Sequence, residues 1–144
     1  MQDASKIRNI AVLGHLGSGK TSLCESMLFV SKAISKKGEV ERKNTVSDYL
    51  TEEQARQTSL STSLIPVEWK NCKINFLDTP GSEEFVGEID QDLAVVDGAV
   101  VLIDATKGIE VGTERVWDEL RKRNIPTIIL VNKLNKENVK KKKI

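Results

Sequence analysis

The chain has 144 residues, a length that suits one domain and argues against two. Hydrophobic residues make up 39% of it, enough for a core without disulfide or metal support. Its 22 Lys+Arg against 21 Asp+Glu leave a net charge of +1, so bulk charge argues for neither a nucleic-acid nor an acidic partner.

In chain order, the apolar run Ile10 to Leu13 ends in Gly14, and a Gly/Ser-rich turn leads to Leu23, Met27, Val30 and Ile34 at helical spacing. This predicts strand, loop, helix. The polar stretch Ser35 to Ser59 follows, long for a plain connection, and reads as a functional loop. Leu64 to Trp69 and Lys73 to Leu77, separated by Lys70-Asn71-Cys72, predict an antiparallel hairpin. Asp78-Thr79-Pro80-Gly81 breaks the strand, and Phe85, Ile89, Leu93 and Val96 then mark one helical face. A strand at Ala99 to Ile103 passes through Lys107-Gly108 into a helix with Thr113, Val116, Trp117 and Leu120 on one side. Pro126 opens a last strand, Thr127 to Val131. Strands alternating with helices, most of them unbroken Val/Ile/Leu runs, predict an α/β fold with a mostly parallel sheet covered on both faces.

The apolar runs are far too short for a membrane span, and the N-terminus lacks the apolar core of a signal peptide, so neither is expected. Cys24 and Cys72 lack the paired spacing of zinc or redox motifs, which points to a reducing, cytoplasmic setting. The run Lys140 to Lys143 has no interleaved aromatic residue and reads as a solvated tail, so no nucleic-acid site is evident.

Gly14-His15-Leu16-Gly17-Ser18-Gly19-Lys20-Thr21 matches G-x-x-x-x-G-K-[ST] between a predicted strand and helix, with Ser22 next on that helix. Glycines let consecutive N–H groups and the positive end of the helix face phosphate oxygens. Lys20 adds a charge on the outer phosphates, and Thr21 offers a hydroxyl to Mg²⁺. By itself the loop does not separate ATP from GTP. Asp78, at the carboxyl end of a hydrophobic strand, projects toward the same loop, where a carboxylate holds Mg²⁺ through water.

Together with the stretch from Asp48 to Arg56, the Asp78-Thr79-Pro80-Gly81 turn and Val131-Asn132-Lys133, this loop makes the chain resemble the N-terminal GTPase domain of a translational GTPase. The likeness is greatest to elongation factor G and its paralogues, and it runs from Arg8 to Val139. It implies a P-loop NTPase three-layer sandwich over residues 1–139, with one antiparallel edge strand, followed by a basic tail at 140–144. It also implies GTP/GDP and Mg²⁺ as ligands and the ribosome as partner of a full-length parent. Ser59 falls where the family has a metal-binding threonine; a plain serine in a Ser/Thr-rich strand entry is the competing reading. Gly81 is the family's switch glycine. Asn132, Lys133 and Asn135 fall on its base-reading motif.

Three departures stand out. The family histidine that positions the attacking water is replaced by Ser82, and His15, the one histidine, belongs to the phosphate loop. The base-reading aspartate is Asn135. An aspartate usual in the phosphate loop is Gly17, which puts potassium stimulation in doubt. No Ser-Ala pair occurs in the 144 residues, so the resemblance implies a domain that lacks the family's base loop, final strand and helix. The expected function is a GTP-binding switch with slow hydrolysis. Two alternatives stay open: a nucleotide-binding regulatory module without turnover, and an inactive fragment.

Overall fold

The computed structural model describes residues 3–47, 50–56, 59–81, 86–137 and 139. Among the described residues, nine strands and α-helices carry the fold: β1 (Ile7–Gly14), α1 (Lys20–Val30), α2 (Thr51–Arg56), β2 (Ser63–Trp69), β3 (Cys72–Asp78), α3 (Val86–Leu93), β4 (Gly98–Asp104), α4 (Val111–Lys122) and β5 (Thr127–Asn132). The strands form one sheet in the order β2-β3-β1-β4-β5. Every pairing is parallel except β2 with β3, so the expected mostly parallel sheet with one antiparallel edge strand is what the chain forms.

Alternation along the strands separates two cores. Ala11 and Leu13 of β1, with Ala99 and Val101 of β4, pack under Leu93 of α3 and Val116 and Leu120 of α4. Val12, Leu102, Phe76, Ile65 and Val67 point to the other face, under Cys24 and Leu28 of α1. Central β1 is covered on both sides, and Ala11, Val12 and Leu13 are fully buried, as a parallel strand requires. Burying each such side chain is worth roughly 1.5–3 kcal/mol for the larger ones, so the sheet's centre is also the firmest support for the loop that follows Gly14.

The hairpin turns on Lys70 and Asn71, with Trp69 paired to Cys72 and both turn residues at positive φ, 47° and 63°. That is the geometry whose twist suits a two-residue hairpin loop. Pro66 is tolerated because β2 is an edge strand.

Four expectations need correction. Helix α1 stops at Val30, and Val30 is exposed. Lys32 takes φ 63°, Ala33 N–H donates to Leu28 O and Lys32 N–H to Phe29 O, a left-handed C-terminal cap that ends the helix before Ile34. Ile34 reaches the core from the turn instead. Val96 likewise packs on its core from beyond the end of α3, while Phe85 lies outside the described residues. Trp117 sits on the rim of α4, not among its buried residues. Finally, the polar stretch 35–59 contains helix α2.

Among the described residues no strand follows β5, and Ile128, Ile129 and Val131 are exposed. No helix among them is long and apolar enough to cross a membrane. The lysine tail, 140–144, lies outside them.

Candidate functional site: the phosphate loop and its partners

The loop from Gly14 to Gly19 connects the central strand to α1 at the carboxyl edge of the sheet, where ligands of open α/β folds bind. Gly19, the residue before α1, has φ 101°, and an added Cβ would collide with the Asn132 amide. Glycine is required there on both counts. Leu16 is exposed, Ser18 is buried, and Ser22 is exposed on the first turn of α1.

Lys20 is buried, and its ammonium donates to the carbonyls of Gly14 (3.0 Å) and His15 (3.4 Å). Burial pushes its pKa down, and the Asp78 carboxylate opposes that shift. Asp78 itself is fully buried at the end of β3. The Thr21 hydroxyl lies 3.4 Å from that of Ser59. Gly81 sits against the loop: an added Cβ would strike the Lys20 ammonium and lie 3.0 Å from the Leu16 backbone. Ser59, Asp78 and Gly81, each far from the phosphate loop in sequence, are therefore brought to it. Ser82 lies outside the described residues, as do Asp48 and Tyr49.

The residues expected to face the base arrive from the end of β5 and the turn after it. Asn132 donates from its amide to Ser18 O (2.9 Å) and accepts from Lys133 N–H (2.8 Å). Lys133, at φ 62°, donates to Gly17 O (2.6 Å) and to the Asp104 carboxylate (2.7 Å). Asn135 is exposed on the turn beyond.

His15 is half-buried, with Nε2 3.4 Å from Glu110 Oε1 and Nδ1 facing Gly112. Its ring therefore packs on the N-terminal turn of α4, a structural placement.

Several residues that the sequence reading passed over hold this arrangement. Thr79 donates its hydroxyl to Val12 O (2.8 Å), tying the turn after β3 to β1. Buried Asp104 accepts from Thr106 and Lys133; burial opposes ionisation, but these hydrogen bonds outweigh it and hold the carboxyl at about 2. Its position at the carboxyl end of a parallel strand, the same as that of Asp78, was the available signal. Buried Glu25 accepts from Gly38 N–H (2.9 Å) and from Val46 N–H, fastening the polar stretch to α1. Buried Glu53 accepts from Leu50, Leu60 and Ser61 N–H groups.

The hydroxyls of Thr21 and Ser59 and the carboxylate of Asp78 are hard oxygen donors, and the two hydroxyls are already adjacent, so this donor set fits Mg²⁺.

Ribosome-releasing factor 2, mitochondrial, of Drosophila melanogaster is 44% identical over 133 residues, 92% of this chain and 18% of that protein. The protein of the same name from Drosophila willistoni is 43% identical over 133 residues, with the same two shares. The chain thus spans about a fifth of the length of these relatives. A crystal structure of a protein from Thermus thermophilus superposes with a TM-score of 0.84 at 37% identity, covering 89% of this chain and 19% of that one. Translation elongation factor SelB from Methanococcus maripaludis, solved with the GTP analogue GppNHp, superposes with a TM-score of 0.68 at 19% identity, covering 89% and 22%, a likeness of fold alone. The family described as "Elongation factor Tu GTP binding domain" matches residues 5–143, a span that takes in the phosphate loop, the turn after β3 and the Asn132-Lys133 loop. By that match, and in agreement with the resemblance read from its motifs, the chain belongs to the elongation factor Tu GTP binding domain family.

Proposed function

We propose that the chain is the Mg²⁺-dependent GTP-binding switch domain of an elongation-factor-G-like protein, hydrolysing GTP slowly to GDP and phosphate. The observation that best supports this reading is the convergence of Lys20, Thr21, Ser59, Asp78 and Gly81 on one end of α1. Backbone N–H groups of Gly17 to Thr21 bind the phosphates at the positive helix end. Lys20 exchanges its carbonyl partners, Gly14 and His15, for phosphate oxygens, a better match for an ammonium in a partly dry site. Thr21, Ser59 and Asp78 hold Mg²⁺, which when bound offsets the charge of the outer phosphates. Gly81, beside the Lys20 ammonium, registers the terminal phosphate through its backbone.

Asn132 and Lys133 hold the base loop against Ser18 and Gly17, and Asn135 reads the base with relaxed preference. A serine hydroxyl at position 82 is a poor general base, so hydrolysis is slow; Gly17 offers no side chain for a monovalent cation. In our reading the full-length protein works on the ribosome, without a membrane and without a nucleic-acid site in this region. The free cysteines, Cys24 and Cys72, support a reducing compartment, read as the cytoplasm; the names of the Drosophila relatives place those proteins in mitochondria.

Single-turnover GTP hydrolysis with Mg²⁺, comparing the chain with Ser82→His, tests this. The variant is expected to be about 100-fold faster, the usual worth of a positioned acid or base. Equal rates overturn the role given to position 82. Tight binding with no phosphate release from either protein favours the regulatory module without turnover. Absence of a nucleotide-dependent rise in melting temperature overturns nucleotide binding itself.

A further inference from the structure

Glu53 is given no contact with nucleotide or metal in the proposed function, yet its carboxyl group is fully buried, a costly placement unless hydrogen bonds compensate. Its carboxylate faces three backbone N–H groups from both ends of one segment. Oε2 accepts from Leu50 N–H (3.2 Å), just before α2, and Oε1 accepts from Leu60 (3.0 Å) and Ser61 (3.4 Å). The first of these is the reciprocal half of a capping box, with the glutamate three residues into the turn it caps. The other two reach the residues directly after Ser59.

Two further bonds fix the same segment from outside. The Thr62 hydroxyl donates to Asp92 (2.6 Å), and the Ser63 hydroxyl donates to Ser47 O (2.8 Å). The segment on the C-terminal side of Ser59 is therefore anchored at four successive residues, two by hydroxyl groups and the nearest two by backbone N–H groups that Glu53 holds. The Ser59 hydroxyl faces that of Thr21 at 3.4 Å. A serine has no branched side chain to fix its own rotamer, so its placement depends on backbone held from elsewhere.

We propose that Glu53 is the positioning residue for Ser59: its buried carboxylate, touching neither nucleotide nor metal, sets the Ser59 backbone so that the Ser59 and Thr21 hydroxyls face one Mg²⁺ position. The inference rests on the proposed function in assigning Mg²⁺ to that pair of hydroxyls. The carboxylate is suited to the task because it carries two acceptor oxygens and no donor, and its three partners among the described residues are donors. Glutamine supplies one acceptor oxygen and directs an NH₂ group at the N–H groups on the other side.

The test uses the full 144-residue chain and a fluorescent nonhydrolysable GTP analogue, titrated with and without Mg²⁺. The Mg²⁺-dependent gain in affinity is the readout, for the wild type, Glu53→Ala, Glu53→Gln, Ser59→Ala and the Glu53→Ala/Ser59→Ala double variant. Glu53→Ala and Ser59→Ala are each expected to cut the gain at least fivefold, and the double variant no further than the larger single loss. Mg²⁺-free affinity, set by the phosphate loop, stays within twofold, and Glu53→Gln falls between wild type and Glu53→Ala.

An equal loss of affinity with and without Mg²⁺ in both position-53 variants overturns the inference, because that is what a purely structural role produces. Multiplicative losses in the double variant overturn it as well, with the metal role of Ser59 left standing. A wild type whose affinity does not respond to Mg²⁺, or a Ser59→Ala protein that responds fully, overturns the functional reading on which it rests.

Discussion

The ammonium of Lys133 lies 2.7 Å from Oδ2 of Asp104, and the same ammonium is 2.6 Å from the carbonyl oxygen of Gly17. One cation thus joins the end of β4, the loop after β5 and the phosphate loop. The carboxylate is buried and the lysine one-third exposed, so the pair is screened less than a surface pair and more than a dry one.

Asp104→Asn is expected to cost about 1.5–3 kcal/mol of stability at neutral pH, the range for a hydrogen bond to a charged group. The folded carboxyl is held at about 2, below an unfolded value of about 3.9. Its contribution is therefore complete above about pH 4 and is lost as pH falls toward 2. Urea denaturation at pH 7 and pH 3 checks this: the gap between wild type and variant narrows at the lower pH, and a constant gap contradicts it.

Gly81→Ala places a methyl group against the Lys20 ammonium without asking the backbone for a left-handed conformation. The clash displaces Lys20 from the position that would meet a terminal phosphate, at an overpacking cost on the order of 1–3 kcal/mol. Isothermal titration is expected to show triphosphate affinity falling about tenfold, with GDP affinity changed much less. Equal losses for the two nucleotides contradict the pairing of Gly81 with the terminal phosphate.

In the proposed reading of the base, Asn135→Asp restores two acceptor oxygens where the amide would present a donor to the donors of guanine. The expected gain in preference for GTP over XTP is about 1–3 kcal/mol, the cost of one unpaired polar group in a closed site. Competition of the two nucleotides for one labelled ligand measures it. Strict guanine selection by the unaltered chain would contradict the prediction.

The phosphate loop was legible because its residues are consecutive and its glycines announce an unusual backbone; Lys20 and Thr21 lie where the motif puts them, at the start of α1. The parallel sheet was legible from unbroken runs such as Ala99 to Ile103, whose residues on both faces are covered. What escaped notice depends on partners distant in sequence. Helix α2 is too short to announce itself by periodicity, and Glu53 caps it while reaching across to Leu60 and Ser61. Glu25 looks like an ordinary helix-face charge until Gly38 and Val46 close on it. Asp104 finds Lys133 across 29 residues. The apparent helical continuation to Ile34 failed for the opposite reason, since a lysine took the left-handed cap that glycine usually marks.

The bond from Ser63 to Ser47 joins residues 16 apart and closes the base of the segment that contains Ser59. Loop closure carries an entropic cost that grows with the logarithm of loop length, about 0.6 kcal/mol for each doubling. Bonds within the chain offset part of that cost, with Glu25 fastening Gly38 and Val46 to α1 as well. A ligand that engages Ser59 then has less chain entropy to offset than it would without the Ser63–Ser47 bond, and more of its contact energy remains available as affinity.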